Sequence, residues 1–590
     1  MKKKKKRRHK LMYRTIENGN INEKLVGQTV KIIGWVAKKR DLGGLTFVDL
    51  RDRSGIVQVL INEGVARPDI RNEYIIQIEG VVTLKEVPNK NLKTGKVEVV
   101  ASKVTLINKA KNPPLIIADE TDALEDVRLK YRYLDLRRKV LQDKLIARAK
   151  ITKVTREFLD NEGFIEIETP ILTKSTPGGA RDYLIPSRLN PGTFYALAQS
   201  PQIYKQLLMI GGLEKYYQIA RCFRDEDLRS DRQPDFTQID IETSFFTYEE
   251  VLDLNERLLQ KIFKEVKGYD LKLPLPRLTY HEAVENYGSD KPDLRFDLKI
   301  RDLSKVLSNE EYFKAKEDVR GLIINDPTNI LSRKTLDELN LIVKQHGLNF
   351  LGVLKYDGTA FSGSLAKNIT SSHTEVAEAL GLAANDVVLL GFDAPLARIL
   401  SALGAVRKEL GVRFNLIDEN AYSCLWVDSF PLFSYDPETR RFASEHHPFT
   451  QPKEEDIAKL TTAPEEVLSY AYDIVINGYE AGGGSMRIYD QDLQNRIFEI
   501  LGLSEKEIEY LFGFFIEALK YGTPPHGGIA FGLDRLTMIL TGTDDIRDVI
   551  AFPKNLKGAS LMSGEPSKVS NLQLDELYIK INTGKDGGEE

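Results

Sequence analysis

The chain has 590 residues, room for about three or four domains, with 42% hydrophobic residues, 29% charged residues and a formal net charge of −4. That balance describes an ordinary globular protein; no apolar run reaches the ~18 residues of a membrane helix, and no signal-peptide core is present. Cys222 and Cys424 have neither metal-ligand spacing nor a disulfide framework, so a reducing, cytoplasmic setting and no membrane partner are expected.

Eight of the first ten residues are Lys or Arg, and 1–11 read as a disordered basic tail, with weak attraction to nucleic acid as the lesser reading. Residues 12–110 then alternate in short runs: Thr29–Val36, Leu45–Leu50, Ile56–Leu60, Ile75–Leu84 and Val97–Ile107, with turns at Gly43-Gly44, Ser54-Gly55 and Thr94-Gly95. Five such strands predict a small Greek-key barrel of the OB type. One face presents Lys38, Lys39 and Arg40 beside Phe47 and Gln58. Cations next to an aromatic ring and an amide suit single-stranded nucleic acid; the alternative for Phe47 is plain barrel core.

Pro113-Pro114 mark a linker over 111–126. Leu141, Leu145, Ala149, Val154 and Phe158 predict a helix from about Lys139 to Asn161, stopped by Gly163. A strand is expected over Phe164–Pro170, then a loop, Thr173–Asp182, and a turn into a helix at Gln199–Leu208. Next comes Arg221–Glu242, where Arg221, Arg224, Arg229 and Arg232 alternate with acids between two strand-like flanks. A solvated, salt-bridged loop is one reading; a site for a polyanion and its metal is the other, since guanidiniums grip phosphates and carboxylates hold Mg²⁺. Residues 291–422 change texture and read as an inserted α+β module inside a region spanning 127–290 and 423–580. The second part carries His446-His447, then Asp473–Ile488 with Glu480 and Arg487, then a strand turning into a helix near Leu533; 581–590 form a tail.

The order of these segments resembles the class II aminoacyl-tRNA synthetases. The long helix followed by FIEIETP is similar to motif 1, CFRDEDLRSDRQPDFTQIDIE to motif 2, and GIAFGLDRL to motif 3. The barrel narrows this to the aspartyl/asparaginyl/lysyl subgroup. QSPQIYKQ, YRYLDLRR, HHPFT, GYEAGGGSMRI and YGTPPHGGIAFGLDR resemble the bacterial aspartyl-tRNA synthetases, which also carry an insertion between motifs 2 and 3; the resemblance covers residues 12–580.

The resemblance implies an α+β, multidomain fold: a five-stranded OB barrel, an antiparallel catalytic sheet with flanking helices, and the inserted module, in a homodimer with Pro170 at its interface. The implied activity is aspartate–tRNA ligase, with ATP and L-aspartate as substrates, Mg²⁺ as cofactor and tRNA(Asp) as partner. In that family reaction the aspartate α-carboxylate attacks the ATP α-phosphate and expels pyrophosphate; the 3′-terminal ribose hydroxyl then attacks the adenylate. The resemblance also carries roles onto single residues. Arg224 falls on the α-phosphate and Arg535 on the γ-phosphate. Glu226 accepts from the adenine amino group, Phe236 stacks on the ring, and Asp225, Gln233, Gly532, Leu533 and Asp534 complete the ATP wall. Asp473 and Glu480 hold Mg²⁺. Arg487 and Lys205 bind the substrate's side-chain carboxylate; Asp240, Gln202 and Ser200 face its ammonium, and His446 closes over it, with His447 beside it. The family usually has an acid where this chain has Gly178, so Asp182 or Asp240 is left to complete the site and a weakened aspartate affinity is expected. In the barrel, Phe47 stacks on an anticodon base while Arg40, Gln58 and Glu98 contact base edges. The competing readings are a related ligase for asparagine or lysine, and a tRNA-binding paralogue without ligase activity.

Overall fold

A computed structural model describes residues 13–176 and 180–582. The basic start, Gly178 and most of the C-terminal tail lie outside the described residues. The chain clusters into two units. One takes the chain up to Ala147 together with Leu228–Gln233 and Asp545–Lys568; the other takes Arg148–Asp227, Pro234–Asp544 and the chain from Val569.

The first unit is built on a closed barrel of β1 (Thr29–Leu42), β2 (Leu45–Asp52), β3 (Gly55–Ile61), β4 (Ile75–Leu84) and β5 (Val97–Asn108), ordered β1-β2-β3-β5-β4. Period-two alternation sends Val36, Val48, Leu50, Val57, Val59 and Val99 inward, each 0% exposed. β1 runs beyond the expected Val36 to Leu42, past a register shift between Val36 and Lys38, because its far half pairs with β2 up to Leu42 opposite Leu45. Lys38, Lys39 and Arg40 are therefore strand residues. After the barrel, buried Asp135 accepts from Arg132 at 3.0 Å and Arg138 at 2.7 Å, and Arg132 also donates to the carbonyls of Arg547 and Ile550. This lock ties the YRYLDLRR segment to the C-terminal stretch of the same unit.

The second unit is organised by an eight-stranded sheet. Its strands are β6 (Ile165–Glu166), β7 (Lys215–Phe223), β8 (Asp235–Ser244), β9 (Arg277–Thr279), β10 (Cys424–Asp428), β11 (Ala471–Ile476), β12 (Tyr479–Met486) and β13 (His526–Gly532), in the order β9-β10-β11-β12-β13-β8-β7-β6. The interior pairs are antiparallel, as expected, but both edge pairs, β9–β10 and β6–β7, are parallel. Each edge pair is joined by a long crossover rather than a hairpin, and parallel pairing requires one. The expected strand over Phe164–Pro170 shrinks to Ile165–Glu166: Thr169 turns its N–H and hydroxyl to the Gln218 side chain, at 3.2 and 2.9 Å, instead of to the ladder. The helix preceding it spans Lys139–Asn161, at the expected bounds, and Ile151, Val154 and Leu159 enter the main core with Leu258, Trp426 and Phe531. Two further helices matter for the site: Gln202–Ile210, and Leu533–Thr541, which starts where β13 ends.

The inserted segment forms its own antiparallel sheet, ordered Arg301–Asp302, Arg320–Asn325, Asp386–Gly391, Gly352–Tyr356, Phe361–Ser362. Successive residues of its central strand feed two different cores: Val387 and Leu389 one, Val388 and Leu390 the other. The helices Arg333–Gln345 and Leu396–Arg413 cover the first of these and His373–Leu380 covers the second.

Candidate active site and nucleic-acid face

β7 and β8 form the expected hairpin, with Cys222 opposite Phe236 and the Arg224 N–H donating to Pro234 O at 2.9 Å. This register sets the Arg224 guanidinium 5.1 Å from the centroid of the Phe236 ring. Beside the hairpin lies a cavity of about 810 Å³. Ser200, Gln202, Lys205, Arg224, Glu226, Asp240, His446, Asp473, Glu480 and Arg487 all line it, although they come from well-separated stretches of sequence.

The cavity floor is a buried network of two cations and two anions. Lys205, Asp240 and Arg487 are each 1% exposed and Glu242 is 0% exposed, so the charges have only one another and a few dipoles for compensation. Lys205 Nζ lies 2.9 Å from Asp240 Oδ1 and 3.2 Å from Glu242 Oε2. Arg487 meets Glu242 as a fork, Nε to Oε1 at 2.9 Å and Nη2 to Oε2 at 3.1 Å. Its remaining N–H groups go to Gly528 O at 3.1 Å, Ser485 Oγ at 2.6 Å and His447 Nε2 at 2.6 Å. Every guanidinium donor thus has a partner within the protein.

The protonation states follow from this network. Burial pushes the Glu242 carboxyl up, but Arg487 and Lys205 outweigh it and hold the group below its usual range. Burial wins for Asp240, whose carboxyl sits above its usual range despite Lys205. Burial and the facing Arg487 force His447 well below the normal histidine range. Since the guanidinium only donates, His447 Nε2 accepts from it, while Nδ1 faces the Phe449 N–H and the Thr450 hydroxyl, each at 3.3 Å. Asp240 Oδ2 and Gln202 Nε2 are buried without a hydrogen-bond partner, and both residues line the cavity. A ligand with a donor for Asp240 Oδ2 and an acceptor for Gln202 Nε2 would remove that penalty.

A second cluster is acidic. Asp473 Oδ1 lies 3.3 Å from His446 Nε2, and Glu480 Oε2 lies 2.8 Å from Lys291 Nζ. Burial, reinforced by Glu480, raises the Asp473 carboxyl, whereas Lys291 and Arg535 carry Glu480 below its usual range against its own burial. For His446, burial works against the charged ring, but the Asp473 contact overrides it and the ring titrates above its usual value. The two carboxylates converge: a Cβ at Gly483 would lie 2.5 Å from Asp473 Oδ1 and 4.0 Å from Glu480 Oε1. Among the described residues no group of three or more His, Cys, Asp or Glu could hold a metal, so this pair would need ligands from elsewhere.

On the barrel, Arg40 stands opposite Phe47 across β1–β2, Asp49 opposite Gln58 across β2–β3, and Gln58 opposite Glu98 across β3–β5. Phe47 is half-buried on the outer face and has no part in the barrel core, so the plain-core reading does not hold. Arg40 pairs with Asp49 at 2.9 Å, Gln58 donates to Glu98 at 2.7 Å, and Lys85 donates to Gln58 at 3.2 Å. The result is one half-exposed strip of ring, amide and charge.

A family model for class II tRNA synthetases (D, K and N) matches residues 124–556, and a model for the OB-fold nucleic acid binding domain matches residues 30–107. The chain belongs to the class II tRNA synthetases. It is 50% identical over 587 residues to the aspartate–tRNA(Asp/Asn) ligase of Geobacillus sp. WCH70, covering 97% of this chain and 99% of that one. It is 50% identical over 584 residues to the aspartate–tRNA ligase of Macrococcus caseolyticus, covering 96% and 98%. Among solved structures, the asparaginyl-tRNA synthetase of Pyrococcus horikoshii complexed with asparaginyl-adenylate matches with a TM-score of 0.58 at 18% identity, over 92% of this chain and 98% of that one. The aspartyl-tRNA synthetase of Entamoeba histolytica matches with a TM-score of 0.55 at 20% identity, over 90% of each chain.

Not every residue assigned to the synthetase ATP wall faces the cavity. Asp534 is buried, with Oδ1 2.6 Å from Arg148 and Oδ2 accepting from Thr237 N at 2.7 Å. Its side chain ties the motif 3 helix to β8 and is spent on that task. Leu533 is a core residue, 1% exposed. Asp225 bonds its N–H to Arg181 O at 3.0 Å. Gln233, in the first unit, exchanges two hydrogen bonds with the backbone of Lys554, at 2.8 and 3.0 Å. Arg535 Nη1 donates to Glu480 O at 2.6 Å, behind the acidic cluster. At Gly532 a Cβ would meet nothing nearer than Arg535 Cβ at 3.6 Å, so internal packing does not demand glycine there. Two charged side chains of this network escaped the sequence reading. Glu242 had a signal: Asp240 and Glu242 sit two apart on one strand, so both point to one face among apolar neighbours. Lys291 had none.

Proposed function

We propose that this synthetase activates L-aspartate with ATP to aspartyl-adenylate and transfers it to the 3′ end of tRNA(Asp), releasing pyrophosphate and AMP. The observation that carries the reading is the buried Lys205–Asp240–Glu242–Arg487 floor. Arg487 Nη1 is held only by neutral partners, Ser485 and His447. A substrate side-chain carboxylate can displace them and gain a charge-assisted bond without disturbing the Glu242 fork. Asparagine would turn its NH₂ toward the same donor and leave it unpaired, a mismatch of the kind that discriminates by roughly 10⁴-fold. The substrate ammonium is assigned to the unpartnered Asp240 Oδ2, with Ser200 and Gln202 beside it.

The chemistry is alignment and charge compensation. Arg224 reaches the α-phosphate and its attacking carboxylate. Glu226 takes the adenine amino group, and Phe236 supplies a stacking face on which the guanidinium now lies. Arg535 is assigned to the γ-phosphate. Mg²⁺ fits the corner at Asp473 and Glu480: two converging hard-oxygen donors leave positions for phosphate and water, which is how this ion is usually held. When bound, it would neutralise phosphate charge. Ile165, Ile171 and Leu172 are about half exposed and Pro170 is exposed, which favours a homodimer formed through this edge. Among the described residues no helix is long and apolar enough to cross a membrane, and a cytoplasmic site of action is assigned. On the barrel, Phe47, Arg40, Gln58 and Glu98 are assigned to the anticodon.

Transfer of labelled aspartate to purified tRNA(Asp) and tRNA(Asn) transcripts tests this reading. Acid-precipitable, 3′-linked aspartate on tRNA(Asp) is expected; its absence with both transcripts would refute the ligase assignment.

A further inference from the structure

At the entry to the inserted module Lys291 lines the cavity, with Asp290 next to it. Its ammonium lies 2.8 Å from Glu480 Oε2 and 3.8 Å from Asp290 Oδ2. With Asp473 and Glu445 close by, this wall carries more carboxylates than cations, an unfavourable field for the negative charge of a triphosphate tail. The Lys291–Glu480 pair is partly exposed on both sides, 37% and 34%. Such a pair contributes little and exchanges readily for a stronger partner.

Lys291 is held from the module side. It stands on the strap that leaves the helix Tyr280–Tyr287 and enters the module core at Phe296. Arg407, on the module helix Leu396–Arg413, is 3% exposed. It donates to three carbonyls of that strap: Asp293 O at 2.9 Å, Phe296 O at 3.0 Å and Leu298 O at 2.5 Å. Asp293 in turn packs against the β11–β12 turn, where a Cβ at Gly478 would lie 3.2 Å from Asp293 Cβ. Glu480 follows two residues later. One strap therefore carries Lys291 and also braces the hairpin that bears its partner. At the other end of the strap, Gly404 and Gly288 meet backbone to backbone: a Cβ on Gly404 would fall 2.6 Å from Gly288 O.

We propose that Lys291 is a catalytic residue that leaves Glu480 to bind the β- and γ-phosphate oxygens of ATP, and that Arg407 is the positioning residue through which the inserted module holds it there. The assignment rests on the ATP-dependent reading above. As the aspartate carboxylate oxygen forms its bond to the α-phosphorus, the bond to the bridging oxygen breaks and its electron pair leaves with pyrophosphate. The Lys291 ammonium meets the charge that accumulates on that leaving group. No proton need move.

Equilibrium dialysis of ATP and AMP against wild-type, Lys291→Met, Lys291→Arg and Arg407→Lys proteins tests this. AMP lacks the phosphates that Lys291 is assigned, whereas it keeps everything that a merely structural Lys291 would support. Lys291→Met should weaken ATP roughly 10- to 100-fold, as loss of a charge-assisted bond does, and leave AMP unchanged. Lys291→Arg should recover most of the loss, and Arg407→Lys should weaken ATP selectively and less. Unchanged ATP binding in Lys291→Met, or equal weakening of ATP and AMP, would overturn the role of Lys291. Equal weakening of both in Arg407→Lys would overturn the positioning role of the module. A wild-type protein that retained neither nucleotide would instead refute the ATP-dependent reading itself, a result separable from a selective loss in the variants.

Discussion

The barrel face and the catalytic cavity both pair charges with counter-charges, but they do so at opposite extremes of solvation. On the barrel, Arg40 is exposed and its pair with Asp49 lies under water, so either partner can be traded for a base edge or a phosphate at little cost. In the cavity, Lys205, Asp240, Glu242 and Arg487 are sealed, and removing one strands another in a medium that cannot solvate it. The barrel site is therefore a set of separable contacts, whereas the cavity floor stands or falls as a unit.

The largest expected effect breaks that unit. Glu242→Ala leaves Arg487 and Lys205 without their shared anion and should destabilise the catalytic unit by about 3–5 kcal/mol. Thermal unfolding followed by circular dichroism would detect it, and an unaltered transition would mean that the network is dispensable. Arg224→Ala removes a half-buried group whose guanidinium lies over Phe236 rather than in the paired floor. It should keep the fold while slowing aspartate-dependent pyrophosphate exchange by about 3 kcal/mol in barrier, over 100-fold; near-normal exchange would remove Arg224 from the α-phosphate. Phe47→Ala should weaken tRNA(Asp) binding by about 1–3 kcal/mol and leave exchange untouched, which filter binding alongside the exchange assay would show. If exchange fell as well, the barrel contacts would not be separable.

The smallest effect is a pH slope. His447 titrates below its ordinary value because of burial and of Arg487, His446 and Lys205 around it. Below the unfolded value of about 6.5 the unfolded chain binds a proton that the folded chain refuses, so stability present at neutral pH is lost as pH falls. The slope is about 1.4 kcal/mol per pH unit at most. His447→Gln should flatten the decline of the melting temperature between about pH 6.5 and 5; an unchanged decline would mean that His447 is protonated in place.

How much of this was legible in the sequence tracks the same divide. Alternation in LTFVDL and IVQVL placed the barrel strands and put Phe47 beside Arg40, because half-exposed strands write their geometry at a period of two. The hairpin Arg221–Glu242 was legible as strand–loop–strand, and the helix at Lys139–Asn161 at its bounds. The cavity floor was not legible from local pattern. Lys205 sits on a helix, Asp240 and Glu242 on one strand, and Arg487 just past another; only the sheet order β12-β13-β8 brings them together. Family resemblance supplied Lys205, Asp240 and Arg487, but neither Glu242 nor the pairing that closes the Arg487 guanidinium on it. Asp534 and Leu533 show the same limit, since proximity to a motif does not fix the direction of a side chain.

The central claim is that the buried floor selects aspartate for adenylation. ATP–pyrophosphate exchange by the wild-type protein, with aspartate, asparagine and lysine supplied separately, tests it most directly. Exchange driven by aspartate, with asparagine slower by roughly 10⁴-fold and lysine silent, is the predicted result. Exchange driven equally well by asparagine or lysine, or none with any of the three, would contradict it.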